Sequence, residues 1–195
     1  MTRRLLLTTL ALALAACGHS QATRFWTLDP VPPPGAQLPD AALPGAMRPV
    51  RVAAVHIPLA LDRAEVVQPG GADRLAVRDL DHWGAPLGSL VRLALTRDLV
   101  ARLPAGAVVF PDAPASTPAR SVVVDVLALG SDGGDYRLEV GWTLLGPDGL
   151  AVAARGQARL ATPLAGPDVA AQVAATGRLT GQLADRIVQM LAQAR

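Results

Sequence analysis

The chain has 195 residues and a formal charge of +2, with 18 Lys+Arg against 16 Asp+Glu, and 51% of its residues are apolar. That length suits one domain with a sizeable core rather than two. A near-balanced charge without a basic cluster lacks the electrostatic footprint of a nucleic-acid binder, and a single cysteine excludes an internal disulfide and any cysteine-clamped metal.

The N-terminus pairs Arg3 and Arg4 with an apolar run, Leu5 to Ala16, that ends in small residues before Cys17. About 12 apolar residues fall short of the roughly 20 needed to span a bilayer, so residues 1–16 read as a signal peptide. Leu14-Ala15-Ala16-Cys17 further resembles the bacterial lipobox, in which cleavage before the cysteine is followed by its acylation. Cys17 is then expected to carry covalent lipid, palmitate included, and with two or more chains the anchoring is stable. Cleavage near Ala15 with a free thiol is the alternative. Gly18, rather than an aspartate after the cysteine, favours passage to the outer membrane in lipoproteins of the enterobacterial type. Loss of residues 1–16 also removes Arg3 and Arg4, which leaves 179 residues of about zero formal charge. All the cations are arginine and asparagine is absent, a pattern of base composition rather than of function.

Residues 17–23 form a short tether. Its six residues from Gly18 to Thr23 span at most about 20 Å, so a domain over 24–195 sits close to its membrane. Arg24 to Leu28 is expected as the first strand. Asp29 to Pro49 carries seven prolines in 21 residues, which can neither donate ladder hydrogen bonds nor continue a helix. It reads as an extended loop, either a passive connector or a docking strip. Val50 to Ile57 reads as a buried strand closed by Pro58, and shorter strands are expected at Glu65–Gln68 and Arg74–Arg78 around the turn Pro69-Gly70-Gly71.

The period then changes. Leu87, Leu90, Val91, Ala94, Leu95, Leu99 and Leu103 recur at three and four, so Pro86 to Leu103 is an amphipathic helix with proline at its first turn. A strand at Ala107–Phe110 is expected next. Ser121–Leu129, Asp135–Leu145 and Leu150–Ala161 follow as an antiparallel meander, joined by the turns Ser131–Gly134 and Gly146–Gly149. In the second of these strands Tyr136, Leu138, Val140, Trp142 and Leu144 alternate with more polar neighbours. Asp168 caps a last helix that runs to about Gln193, with Gly177 and Gly181 expected to let it approach the sheet closely. The whole reads as a single α/β domain: a mixed sheet with an antiparallel meander and two amphipathic helices packed on it.

Chemical machinery is sparse. The histidines are His19, His56 and His82, and no metal-ligand spacing appears among them. Asp81, His82 and Ser89 invite comparison with a catalytic triad, but no GxSxG elbow surrounds Ser89. The expectation is Asp81 in a turn or cap and His82 partly exposed, with no catalytic residues, no metal and no cofactor beyond the lipid on Cys17. Trp83 is expected chiefly as a core residue at the helix start, with a partner hot spot as the second reading.

The order of these pieces resembles the ABC-type transport auxiliary lipoproteins, the PqiC or YmbA-like family of Gram-negative envelope proteins. The resemblance rests on the lipobox cysteine; on Phe25-Trp26-Thr27-Leu28, in place of an aromatic "YYxL"; on Val55-His56-Ile57-Pro58 with Leu61-Asp62-Arg63; and on Trp83-Gly84-Ala85-Pro86-Leu87. The last block departs from the family's "W-A-E-P-L" in having Ala85 where the acid stands. The resemblance implies a non-catalytic, lipid-anchored subunit that docks a periplasmic MCE-domain protein at the outer membrane, in a system moving phospholipids or other hydrophobic molecules between membranes. It further implies a homo-oligomer, and it brings Trp83 and Pro86 forward as partner-binding residues. A stand-alone binder of lipid or peptide is the alternative.

Overall fold

The computed structural model describes residues 21–31, 33, 48–69, 74–114 and 118–194. Cys17, the Gly70-Gly71 half of the predicted turn and most of the proline-rich loop lie outside the described residues.

Among the described residues, seven strands and two helices follow one another as β1 (Arg24–Trp26), β2 (Val50–His56), β3 (Glu65–Pro69), β4 (Leu75–Trp83), α1 (Leu87–Val100), β5 (Arg120–Asp132), β6 (Asp135–Leu145), β7 (Val152–Pro163) and α2 (Val169–Gln193). The domain is α/β, and its strands are divided between two mixed sheets. One has the order β2-β5-β6-β7 and the other β1-β4-β3. β2 runs parallel to β5 and β1 parallel to β4, while β5-β6-β7 form the expected antiparallel meander.

The expected strand Ala107–Phe110 is instead a single bridge. Val50 exchanges hydrogen bonds with the Ala107 carbonyl and the Val109 amide at 2.8 and 2.9 Å. Pro104 and Pro111 bound the segment and remove donors, so no ladder can extend. β4 corrects the sequence reading in the other direction. It continues five residues past Arg78 to Trp83, because a bulge opposite Glu65/Val66 lets it re-pair and because β1 adds on its other edge.

Two cores result. On one face of the four-stranded sheet Val122, Val124, Tyr136, Val140, Trp142 and Leu144 meet Leu95, Leu99, Leu179, Leu183, Ile187 and Leu191 of the helices. The alternation read along β6 places all of its apolar set inward. The second core joins Leu28, Val66 and Trp83 to the start of α1 through Leu87, Leu90, Val91 and Ala94, and to Val169 of α2. Helix α1 therefore serves both sheets, its N-terminal half one and its C-terminal half the other.

Asp168 caps α2 as its spacing predicts, its carboxylate accepting from the Ala171 amide at 2.7 Å. Gly177 and Gly181 have a different role from the one expected. Cβ atoms there would lie 3.2 Å from the carbonyls of Asp29 and Val31. The glycines make room for the extended strap of residues 27–31 rather than for a sheet.

Candidate functional site

The two blocks that carry the family resemblance meet at one end of the molecule. After β2 the chain turns at Pro58, whose carbonyl accepts from Leu61 and Asp62 at 2.8 and 3.1 Å, and Ala64 then takes the Trp83 amide at 2.7 Å. β4 ends there, and the Gly84 amide closes onto the Trp26 carbonyl at 2.7 Å. Pro86 holds extended dihedrals at the N-cap of α1, and its carbonyl starts the helix by accepting from Ser89 and Leu90 at 2.9 and 3.1 Å. Gly88 is required: a Cβ would stand 2.9 Å from the Val55 carbonyl, so only glycine lets the helix start press on β2.

The product is an open notch between β2, the Pro58 turn and α1, lined by Val55, Ile57, Asp62, Pro86, Ser89 and Arg92 among others. Arg92 is pinned at its edge, its Nε donating to the Val52 carbonyl at 3.0 Å. Its lining is predominantly polar, with one acid, one guanidinium and a serine set beside Val55, Ile57 and the exposed Pro86.

The site residues read from sequence divide in two. Trp83 is buried at 6% exposure within the second core, where it touches Leu87 and its neighbours. Pro86 is exposed in the notch. Asp81 is not a turn residue. It is a buried strand residue of β4, and its carboxylate accepts from the Arg24 guanidinium and the Trp26 indole, both at 2.8 Å. Burial alone would push that carboxyl up, but those two hydrogen bonds together with the charges of Arg24 and Arg78 outweigh it and hold it below its ordinary value.

His82 is partly exposed as expected. It lies in register with Phe25, whose ring stands edge-on to the imidazole with centroids 5.8 Å apart, and its Nε2 contacts the Asp79 carbonyl at 3.1 Å. Asp81, His82 and Ser89 thus have separate partners, and no hydrogen bond links them into a relay. Among the described residues, no group of three or more His, Asp or Glu side chains is placed to hold a metal ion.

A second polar centre escaped the sequence reading. Strap residue Val31 donates its amide to Asp98 Oδ1 of α1 at 2.8 Å, and its carbonyl accepts from Arg102 at 3.1 Å. Arg102 also bonds Asp98 at 3.2 Å and Asp185 of α2 at 2.6 Å. Asp98 is fully buried, and its Oδ2 has no partner among the described residues. Desolvation pushes its carboxyl up to about 6 against the pull of Arg102 and the Val31 amide. This clamp ties the strap to both helices. Its only sequence signal is an acid directly before Leu99, three residues after Leu95, on the apolar stripe of α1.

The profile of the family described as ABC-type transport auxiliary lipoprotein component matches residues 26–188, the whole folded domain from the end of β1 to near the end of α2. The chain belongs to this family. Auxiliary lipoproteins of ABC-type transport are membrane-anchored proteins of the cell envelope, and this chain is one of them. No curated protein matches the sequence significantly. Among solved structures, an uncharacterized protein superposes with a TM-score of 0.67 at 16% identity, over 88% of this chain and 99% of its own. Protein XCC0632 from Xanthomonas campestris, of the family DUF330, superposes with a TM-score of 0.64 at 18% identity, over 89% and 97%. At such identities the likeness shows the fold alone. This auxiliary lipoprotein therefore shares its fold with both over most of its length.

Proposed function

We propose that this auxiliary lipoprotein is the non-catalytic, outer-membrane-anchored subunit of an MCE-type intermembrane lipid transport system, and that it docks the periplasmic MCE component. The observation that carries the reading is the family match across the folded domain. The lipobox at Cys17 supplies the anchor, Gly18 directs it to the outer membrane, and the tether of about 20 Å keeps the domain near the leaflet. Copies assemble as a homo-oligomer around the partner.

The notch is the docking point in this reading. Pro86 and Ser89 offer exposed, rigid backbone at a helix start, beside the partly buried Ile57. Trp83 acts from below: it fixes the Gly84–Pro86 linker against the sheet and touches no partner itself. The test is capture of the purified MCE-domain protein by the wild type and by Pro86→Glu and Ser89→Arg variants. Loss of capture at an unchanged melting temperature is the expected result. Full capture by both variants would remove the notch from the interface.

A further inference from the structure

The junction of β1, β4 and the Pro58 turn turns two large apolar side chains to solvent, Phe25 at 70% exposure and Leu59 at 89%. Neither belongs to a core cluster among the described residues. Phe25 stands on β1, a three-residue edge strand, its ring nearly perpendicular to that of His82. His82 pairs in register with Glu65, and Arg63 bonds that glutamate at 3.3 Å, so Phe25, His82, Glu65 and Arg63 make one continuous surface leading back to the Pro58 turn. The guanidinium group of Arg63 lies on it, its side chain 47% exposed, whereas Arg24 alternates to the other face of β1 and bonds the buried Asp81.

Chain length decides what can reach this surface. Phe25 is eight residues after Cys17, a reach of at most about 29 Å when fully extended. We infer that the junction led by Phe25 and Leu59 rests on the phospholipid surface in which the chain is anchored, the two apolar side chains entering the headgroup boundary and Arg63 meeting lipid phosphates. The inference rests on the reading of Cys17 as lipidated. Phenylalanine and leucine bury apolar area at the headgroup–acyl boundary, and a covalent anchor holds them there at high effective concentration. The notch beside them then opens at the level of the membrane, where a partner bridging two membranes would terminate.

The register supplies an internal control. Ser121 pairs both with Arg51 at the start of β2 and with Leu145 at the end of β6. The turn bearing Leu150, 83% exposed, therefore lies at the end of the sheet opposite the Pro58 turn, about 20 Å away along β2. Full-length lipidated Phe25→Cys, Leu59→Cys and Leu150→Cys proteins, each labelled with an environment-sensitive dye, are reconstituted into phosphatidylethanolamine–phosphatidylglycerol vesicles with and without brominated lipid. Wild type tests the anchor separately, because an acylated Cys17 has no free thiol and takes no dye; labelled wild type would refute the anchor whatever Phe25 does.

With the wild type unlabelled, probes at 25 and 59 are expected to shift to the blue and to lose most of their emission to brominated lipid, while the probe at 150 does neither. Equal behaviour at all three positions would overturn the inference and leave the anchor standing. Probes at 25 and 59 that ignore lipid but respond to added MCE-domain protein would assign the junction to that protein instead, and would equally overturn it.

Discussion

Asp98 shows how a single residue is held against its preference. Its carboxyl is fully buried with one oxygen unpartnered among the described residues, and its folded pKa of about 6 lies above the unfolded value near 3.8. A raised pKa means that the folded state keeps the proton longer. The stability this provides is complete below about pH 3.8 and is lost as pH rises through 6. Asp98→Asn retains an acceptor for the Val31 amide and removes the titration. In urea unfolding, the difference between wild type and Asp98→Asn is expected to move by about 2 kcal/mol against the wild type between pH 4.5 and 7.5; a difference that does not depend on pH would show that the buried charge carries no such cost. Trp83 is the second decisive residue. Cutting it to alanine should cost about 3–5 kcal/mol of stability, since it fills the second core, and an unchanged melting temperature would return it to the interface. Sequence made Trp83 visible because large aromatics dominate cores. Asp98 and Arg102 stayed hidden, because an i,i+4 ion pair on a helix looks solvated until a distant strap covers it.

At the scale of elements, periodicity was the reliable signal. The apolar stripe of α1 from Leu87 to Leu99, the alternation along β6 and the Asp168 cap of α2 all correspond to observed elements, because each is set by contacts along one face, while the predicted Leu103 falls past the helix end at Val100. What failed was set by pairing with distant chain. Ala107–Phe110 looks like a strand and lacks a neighbour beyond one bridge, while β4 outruns its local pattern because β1, about 57 residues earlier, adds to its edge. Gly156 illustrates the same point within a strand. It faces the Trp142 indole across the β6–β7 pair, in the space a Cβ would need, and that indole donates to the Met190 sulfur at 3.2 Å. Gly156→Ala is expected to displace the ring and lower stability by about 1–3 kcal/mol, with a matching change in Trp142 fluorescence. A neutral substitution would mean that the indole has a second place to sit.

For the whole molecule, the division into two sheets bridged by α1 explains why function was only partly legible. The motif blocks 55–63 and 83–87 were visible in sequence, but their meeting in one notch depends on α1 starting against β2, a contact made possible by Gly88. The anchor belongs to this scale too. Cys17→Ser should abolish uptake of labelled palmitate and release the protein from the membrane fraction, because each buried methylene contributes about 0.8 kcal/mol and the acyl chains supply the permanent hold; persistent labelling would place the lipid elsewhere. In the proposed reading, anchor, short tether and notch together make a docking subunit held against a leaflet. The measurement that tests this most directly is a mild-detergent pull-down of the tagged full-length protein from its native envelope, with mass spectrometry of the intact complex. Recovery of an MCE-domain protein at a defined ratio to several copies of this chain is the predicted result, and recovery of the lipoprotein without a protein partner, with or without a bound small molecule, would contradict it.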